Sequence, residues 1–357
     1  MSRHFKKILS IFSYDKNELN NLLEQINSFK DEDYISIYNP YFIGVMNSTK
    51  ELFKNTIGLD ELVNEKVINS IAECIVDNNI KQVILSPITF GWKELVEKIK
   101  EKNSNIKIKF FWHGSHSLFV NRDESYFLYS ILEMCNRNIV NSVAFAKESM
   151  ADFYRQKGYN AYFVKNNVTN VNIEEVKQNE YYKDLINNKD NLKVNIGLYS
   201  AGDRWEKNTY NQLSATSLIP NVIVDSIPCT DLTKSFCKMM NINLKENSGY
   251  ISRDKMICRM SANDINLYVT FTECAPMIPL ESMEAGVPCI TGNNHHYFKN
   301  TKLEDYLIVK SEDDIDEIAL KIRVALERKE EILNIYKEWK KGYNIESIQS
   351  VKDFLNS

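Results

Sequence analysis

TECAPMIPLESMEAGVPCITG, residues 272–292, sets Glu273 and Glu281 eight positions apart in an otherwise apolar stretch and closes on Ala-Gly-Val-Pro and a short β-like run. The preceding NLYVT, residues 266–270, reads as a buried strand, so residues 271–277 form the loop leaving its carboxyl end. A short helix near 278–285 follows. Pro279 suits its first position, where a missing N–H costs nothing, and Gly286 suits the left-handed position beyond its end. Glu281 then lies in the first turn, where backbone N–H groups and the positive end of the dipole favour an anion. Met277, Ile278 and Leu280 can offer N–H groups to a phosphate, and the two carboxylates, acceptors when ionised, suit sugar hydroxyls. Spacing alone leaves two other readings open: a solvated loop charge beside a residue that complements the dipole, or a glycosidase acid–base pair, whose carboxyls stand about 5–9.5 Å apart.

Outward from this segment, short runs rich in Ile, Val, Phe and Tyr recur at 8–12, 34–38, 82–85, 106–111, 142–145 and 162–164, separated by helical patterns. A polar, Asn-rich stretch follows, and a second series of strands begins at 194–199 and continues at 222–227, 250–251, 266–270, 289–291 and 307–309. Strands alternating with helices imply parallel sheets. A chain of 357 residues exceeds what one core usually serves. The expected organisation is a first α/β domain at 1–166, a connection at 167–192, a second α/β domain at 193–330, and helices at 331–357, read from helical patterns at 329–339 and 345–355, that pack across both.

Composition bounds the function. Hydrophobic residues at 43% and charged residues at 26% are ordinary for a globular chain, and a net charge of -4 argues against a nucleic-acid partner. The seven cysteines form no C-x-x-C pair and read as reduced structural thiols, which points to the cytoplasm. The apolar run near the N-terminus is only about five residues, short for a signal peptide, and no segment approaches the roughly 20 apolar residues of a membrane span. Peripheral contact with the inner face of a membrane stays open.

Three further stretches bring charge or histidine to a strand's carboxyl end. IGLYSAGDRWEKNTYNQL, residues 196–213, places Arg204 and Lys207 where two cations could stabilise a diphosphate, or could form a solvated pair. IKIKFFWHGSHSLFV, residues 106–120, leaves its strand at His113, Gly114, Ser115 and His116. SGYISRDKM, residues 248–256, is a Gly-aromatic-Ile turn. His295 and His296 are adjacent and point apart, so they do not share a metal easily, and the acidic triplets at 31–33 and 314–316 read as solvated faces.

Residues 273–290 resemble the Glu-x7-Glu signature of the retaining glycosyltransferases of family 4. Glu273, Glu281, Met283, Ala285, Gly286, Pro288 and Ile290 all fit it. The resemblance implies a GT-B fold, two facing Rossmann-like domains with a cleft between them. It assigns Glu273 to the transferred sugar, Glu281 to the nucleotide ribose, and the main chain over Cys274, Ala275, Pro276, Met277, Ile278 and Leu280 to the diphosphate. Arg204 and Lys207 match the family's diphosphate-neutralising cations, Tyr250 and Ile251 its base-receiving turn, and His113 its histidine beside the reacting sugar. Ser149 and Asn166 match as structural markers. His116 and Ser115 are candidates for the acceptor side.

Two departures stand out. The family's glycine-rich turn after the first strand is here ILSIFSYDKN, residues 8–17, which leaves Ser13 as the candidate, and its Gly-Gly turn after Ile290 is here TGNNHHYF, residues 291–298. The resemblance implies transfer of a sugar from a nucleotide-sugar, a UDP-sugar ahead of a GDP-sugar, to a glycan, lipid-linked or protein-linked acceptor in bacterial glycan assembly. It implies no metal and no resident cofactor. A non-catalytic GT-B-like glycan-binding or accessory subunit is the alternative, and a sugar-nucleotide epimerase the third reading.

Overall fold

A run such as YISIY or QVILS offers β-branched and aromatic side chains to both faces, which suits a strand covered by helices on either side. The computed structural model describes residues 16–62, 64–168, 170–200, 203–245 and 251–357; the expected first strand at 8–12 lies outside them. Twelve strands are formed by the described residues, in two parallel sheets of six. The first contains β1 (Tyr34–Tyr38), β2 (Thr56–Gly58), β3 (Gln82–Ser86), β4 (Lys107–Trp112), β5 (Ser142–Phe145) and β6 (Ala161–Phe163), in the order β2-β1-β3-β4-β5-β6. The second contains β7 (Val194–Tyr199), β8 (Val222–Ile227), β9 (Asn243–Lys245), β10 (Ile265–Tyr268), β11 (Cys289–Gly292) and β12 (Ile308–Val309), in the order β12-β11-β10-β7-β8-β9. Both halves are therefore α/β with parallel sheets.

Helices cover these sheets with apolar stripes. In Trp92–Lys102 the side chains of Trp92, Leu95, Val96 and Ile99 are wholly buried, each such burial contributing about 1.5–3 kcal/mol, while the lysines and glutamates between them stay wet. Gly91 starts that helix at φ 82°, and a Cβ there would lie 1.8 Å from the Leu62 carbonyl oxygen, so only glycine fits. The Asn-rich stretch after Asn166 supplies helix caps. Asn172 and Asn179 accept hydrogen bonds from the first-turn amides of Ile173–Gln178 and Glu180–Asn187.

A buried ion pair fastens one of the second sheet's helices. Asp225 on β8 accepts from Arg259 Nε at 2.9 Å and from its Nη2, and the Tyr199 hydroxyl donates to the same carboxylate at 3.2 Å. Arg259 Nη1 donates to the Tyr181 hydroxyl at 2.8 Å, which ties Glu180–Asn187 to Arg253–Ala262. A charge removed from water in this way is tolerable only because it is fully paired.

The chain divides into two compact units, Met1–Asn167 together with Ser347–Ser357, and Val168–Glu346. The helical patterns expected separately at 329–339 and 345–355 form one helix of 27 residues, Lys329–Leu355. Gly342 costs such a helix only about 1 kcal/mol relative to alanine, and no proline interrupts it. The stacking of Trp339 on Tyr343, ring centroids 4.5 Å apart, supports the stretch across it. In the first unit the helix ends on a buried lysine: Lys109 Nζ of β4 donates to the carbonyls of Phe354 at 2.6 Å and Leu355 at 2.8 Å. Burial lowers that amine to about 8, and the helix's terminal carbonyls meet its charge.

Candidate active site

Read from one edge, the second sheet runs β9-β8-β7-β10-β11-β12, so chain order reverses between β7 and β10. In open α/β sheets the crevice outside the strands' carboxyl ends at such a reversal is where ligands lie. The loops leaving β7 and β10 carry Arg204 and Lys207 on one and Glu273 on the other.

The two loops are laced together through the main chain. Trp205–Lys207 forms a single 3-10 turn, and Asn208, at φ 51°, turns the chain into Thr209–Ser217. From that helix Gln212 Nε2 donates to the carbonyls of Lys207 at 2.9 Å and Asn208 at 3.2 Å, and its Oε1 accepts from the Val269 amide at 2.8 Å. The Phe271 amide donates to the Glu206 carbonyl at 2.9 Å, and the Trp205 and Phe271 rings stack.

This lacing brings Lys207, Tyr268 and Glu273 into mutual contact. Lys207 Nζ donates to the Tyr268 hydroxyl at 3.1 Å and pairs with Glu273 Oε1, and the Tyr268 hydroxyl donates to that same oxygen at 2.9 Å. The Lys207 side chain is only 8% exposed. Burial first, and then the charge of Glu273, raise the Tyr268 phenol well above its usual range, so it remains a proton donor. Arg204, with 54% of its side chain exposed, is held by Glu206 at 3.1 Å.

The helix after this loop is Met277–Glu284, with Pro276 at its N-cap and Ala285 and Gly286 closing it, the latter at φ 77°. Pro279 is thus the third helical residue rather than the first, a position equally free of cost because first-turn N–H groups have no partner within the helix. With prolines at 276 and 279, the amides directed out of this end are those of Met277 and Ile278. Leu280 is buried in the core, and its amide is the first with a helical carbonyl four residues behind it. Cys274 and Pro276 are buried, and Ala275 is half-buried. Glu281 is buried, and its Oε1 is 2.7 Å from Arg253 Nε. Ile251 joins an apolar cluster with Tyr199, Ile257 and Ile278.

In the first unit, His113 leaves β4 with its ring 4.1 Å from that of Phe111 and Nε2 2.9 Å from Ser86 Oγ, itself 2.7 Å from Thr49 Oγ1. Burial pushes the imidazole down to about 3, so the ring is neutral. Ser115 is buried. The His116 ring is set among Phe119, Phe153 and Tyr154, with Nε2 2.8 Å from the Tyr154 hydroxyl. Asn166 accepts from Ser48 Oγ at 2.6 Å. Ser13 and Tyr250 lie outside the described residues.

Three residues of this site were not singled out from the sequence: Tyr268, Glu206 and Arg253. Tyr268 carried a signal, since a tyrosine in a buried strand needs a partner for its hydroxyl. In the NNHHYF segment His295 is buried and His296 Nε2 is 2.8 Å from the Tyr343 hydroxyl, so the segment packs on the long C-terminal helix. Among the described residues no group of three His, Cys, Asp or Glu side chains is placed to hold a metal ion, and no helix is long and apolar enough to cross a membrane.

No family model matches the chain, and no curated protein matches it in sequence. Solved structures do match its fold. A glycosyltransferase from Rickettsia africae superposes with TM-score 0.62 at 13% identity, covering 91% of this chain and 96% of that one. An α,α-trehalose-phosphate synthase (UDP-forming) from Burkholderia xenovorans, in complex with glucose-6-phosphate, gives 0.59 at 11% identity over 90% and 99%. A sucrose-phosphate synthase from Thermosynechococcus elongatus gives 0.57 at 12% identity over 91% and 95%. The chain has the GT-B fold of these glycosyltransferases.

Proposed function

We propose that the protein is a retaining, metal-independent glycosyltransferase that moves a hexose from a nucleotide-sugar to an acceptor hydroxyl in bacterial glycan or glycoconjugate synthesis. The observation that supports this most is the Lys207–Tyr268–Glu273 cluster at the chain reversal of the second sheet, followed at once by the helix that carries Glu281. A UDP-sugar is the favoured donor, a reading that a UDP-forming fold neighbour supports. Lys207, Arg204 and the Met277 and Ile278 amides would balance the diphosphate, Ile251 and Tyr250 receive the base, and Glu281 hold the ribose. Glu273 would orient the sugar and the neutral His113 support it. The bond from the sugar's C1 to the phosphate oxygen breaks, and the acceptor oxygen bonds to C1 from the same face. Its proton passes to the departing phosphate, and stabilisation of the developing charge drives departure.

A second reading, a non-catalytic GT-B-like accessory subunit, is favoured by one observation. Lys207, Arg204 and Glu281 each have an internal partner of opposite charge, in Glu273, Glu206 and Arg253, so the arrangement is neutral without a ligand. Melting temperatures with UDP, GDP, ADP and their glucose conjugates separate the two readings, because a ligand at about 100 times its Kd adds roughly 2.7 kcal/mol. One base class is expected to stabilise the protein. Glu281→Ala should abolish that shift, whereas Glu273→Ala should keep it with the bare nucleotide and lose turnover. Equal effects of the two substitutions would refute this division of roles, and no shift with any nucleotide would favour the accessory subunit.

A further inference from the structure

Lys207, Tyr268 and Glu273 form a closed triangle in which the ammonium and the phenol share one carboxylate oxygen, Glu273 Oε1. On the reading above, which this inference rests on, Lys207 and Glu273 have different ligand partners: the diphosphate and the sugar. A diphosphate on Lys207 would compete with Glu273 for the same ammonium. A diphosphate carries more charge than one carboxylate, so its arrival draws the ammonium off Glu273. Glu273 then loses the cation beside it, and the Tyr268 hydroxyl still donates to it.

We propose that Tyr268 is a positioning residue of the donor site, holding the Glu273 carboxylate in place for the sugar once the diphosphate has taken Lys207. Two features suit it to that task. The ring is 7% exposed and belongs to β10, so the hydroxyl is fixed by the sheet rather than by a loop. Burial and the neighbouring carboxylate also keep it a phenol, so it donates at every working pH. Without the hydroxyl, Glu273 Oε1 loses that donor, and the loss falls on ligands that carry a sugar.

Titration calorimetry with UDP, GDP and ADP and with their glucose conjugates tests this on the intact chain, as wild type, Tyr268→Phe, Glu273→Gln and the double variant. Tyr268→Phe should leave the nucleoside diphosphate Kd within about twofold and weaken the matching nucleotide-glucose by about tenfold, the worth of a hydrogen bond to a charged group. In the Glu273→Gln background the same substitution should change neither Kd by more than about twofold, because the two groups act as one. Glu273→Gln alone, which relieves Lys207 of its carboxylate, should bind the nucleoside diphosphate at least as tightly and the matching nucleotide-glucose more weakly. Tyr268→Met, which fills the buried space without a hydroxyl, repeats the comparison if Tyr268→Phe does not fold. Equal weakening of both ligands by Tyr268→Phe, or an undiminished effect in the double variant, would make Tyr268 a structural residue only. Failure of the wild type to bind any nucleotide would overturn the donor-site reading itself, a result distinct from either of those.

Discussion

His113 owes its chemistry to burial. With its ring on Phe111 and Nε2 at the Ser86 hydroxyl, the imidazole is uncharged at neutral pH. An unfolded chain takes up a proton on this residue below about 6.5, whereas the folded one holds out until about 3. The folded state binds fewer protons across that window, so the residue's contribution is complete above pH 6.5 and is lost progressively as pH falls toward 3. Denaturant titrations at pH 7 and pH 4.5 should therefore show a smaller acid loss for His113→Gln than for the wild type. An equal loss would place the acid sensitivity elsewhere.

At the scale of elements, asparagine does much of what glycine does in other chains. Among 357 residues there are only 11 glycines, and Asn55, Asn79, Asn138, Asn208, Asn221, Asn241 and Asn300 all adopt positive φ. Asn138, at φ 57°, follows the end of Arg122–Asn136, and its amide donates to the Cys135 carbonyl at 2.9 Å. Thermal unfolding should show Asn138→Ala destabilised by about 1–2 kcal/mol, the cost of a left-handed conformation for an ordinary residue, with Asn138→Gly close to wild type. The same asparagine usage limited what the sequence could reveal. Strands of continuous Ile, Val and Phe were legible, as was the loop–helix unit around Glu273 and Glu281, because their signals are local. Helix Glu180–Asn187 read as connection because its caps are asparagines, and the long C-terminal helix read as two because Gly342 looks like a stop. Partners were illegible for another reason: Lys207 and Tyr268 are 61 positions apart, and Arg253 and Glu281 are 28. Only the strand order of the second sheet brings them together.

For the molecule as a whole, the two α/β units differ in the chemistry of their candidate site residues. The first unit offers a neutral histidine and aromatic walls, and the second offers paired charges at a chain reversal. Lys207, Arg204 and Arg253 are each matched by a carboxylate, so on the proposed reading a nucleotide's phosphates would have to compete with Glu273, Glu206 and Glu281. Hydrogen–deuterium exchange of the intact protein with and without UDP, GDP and ADP addresses where that happens. Binding at the chain reversal should slow exchange in peptides covering residues 204–212 and 272–284 with one base class and leave the first unit's β4 and β5 unchanged. Protection confined to other segments, or none with any nucleotide, would contradict a donor site built on Lys207, Glu273 and Glu281.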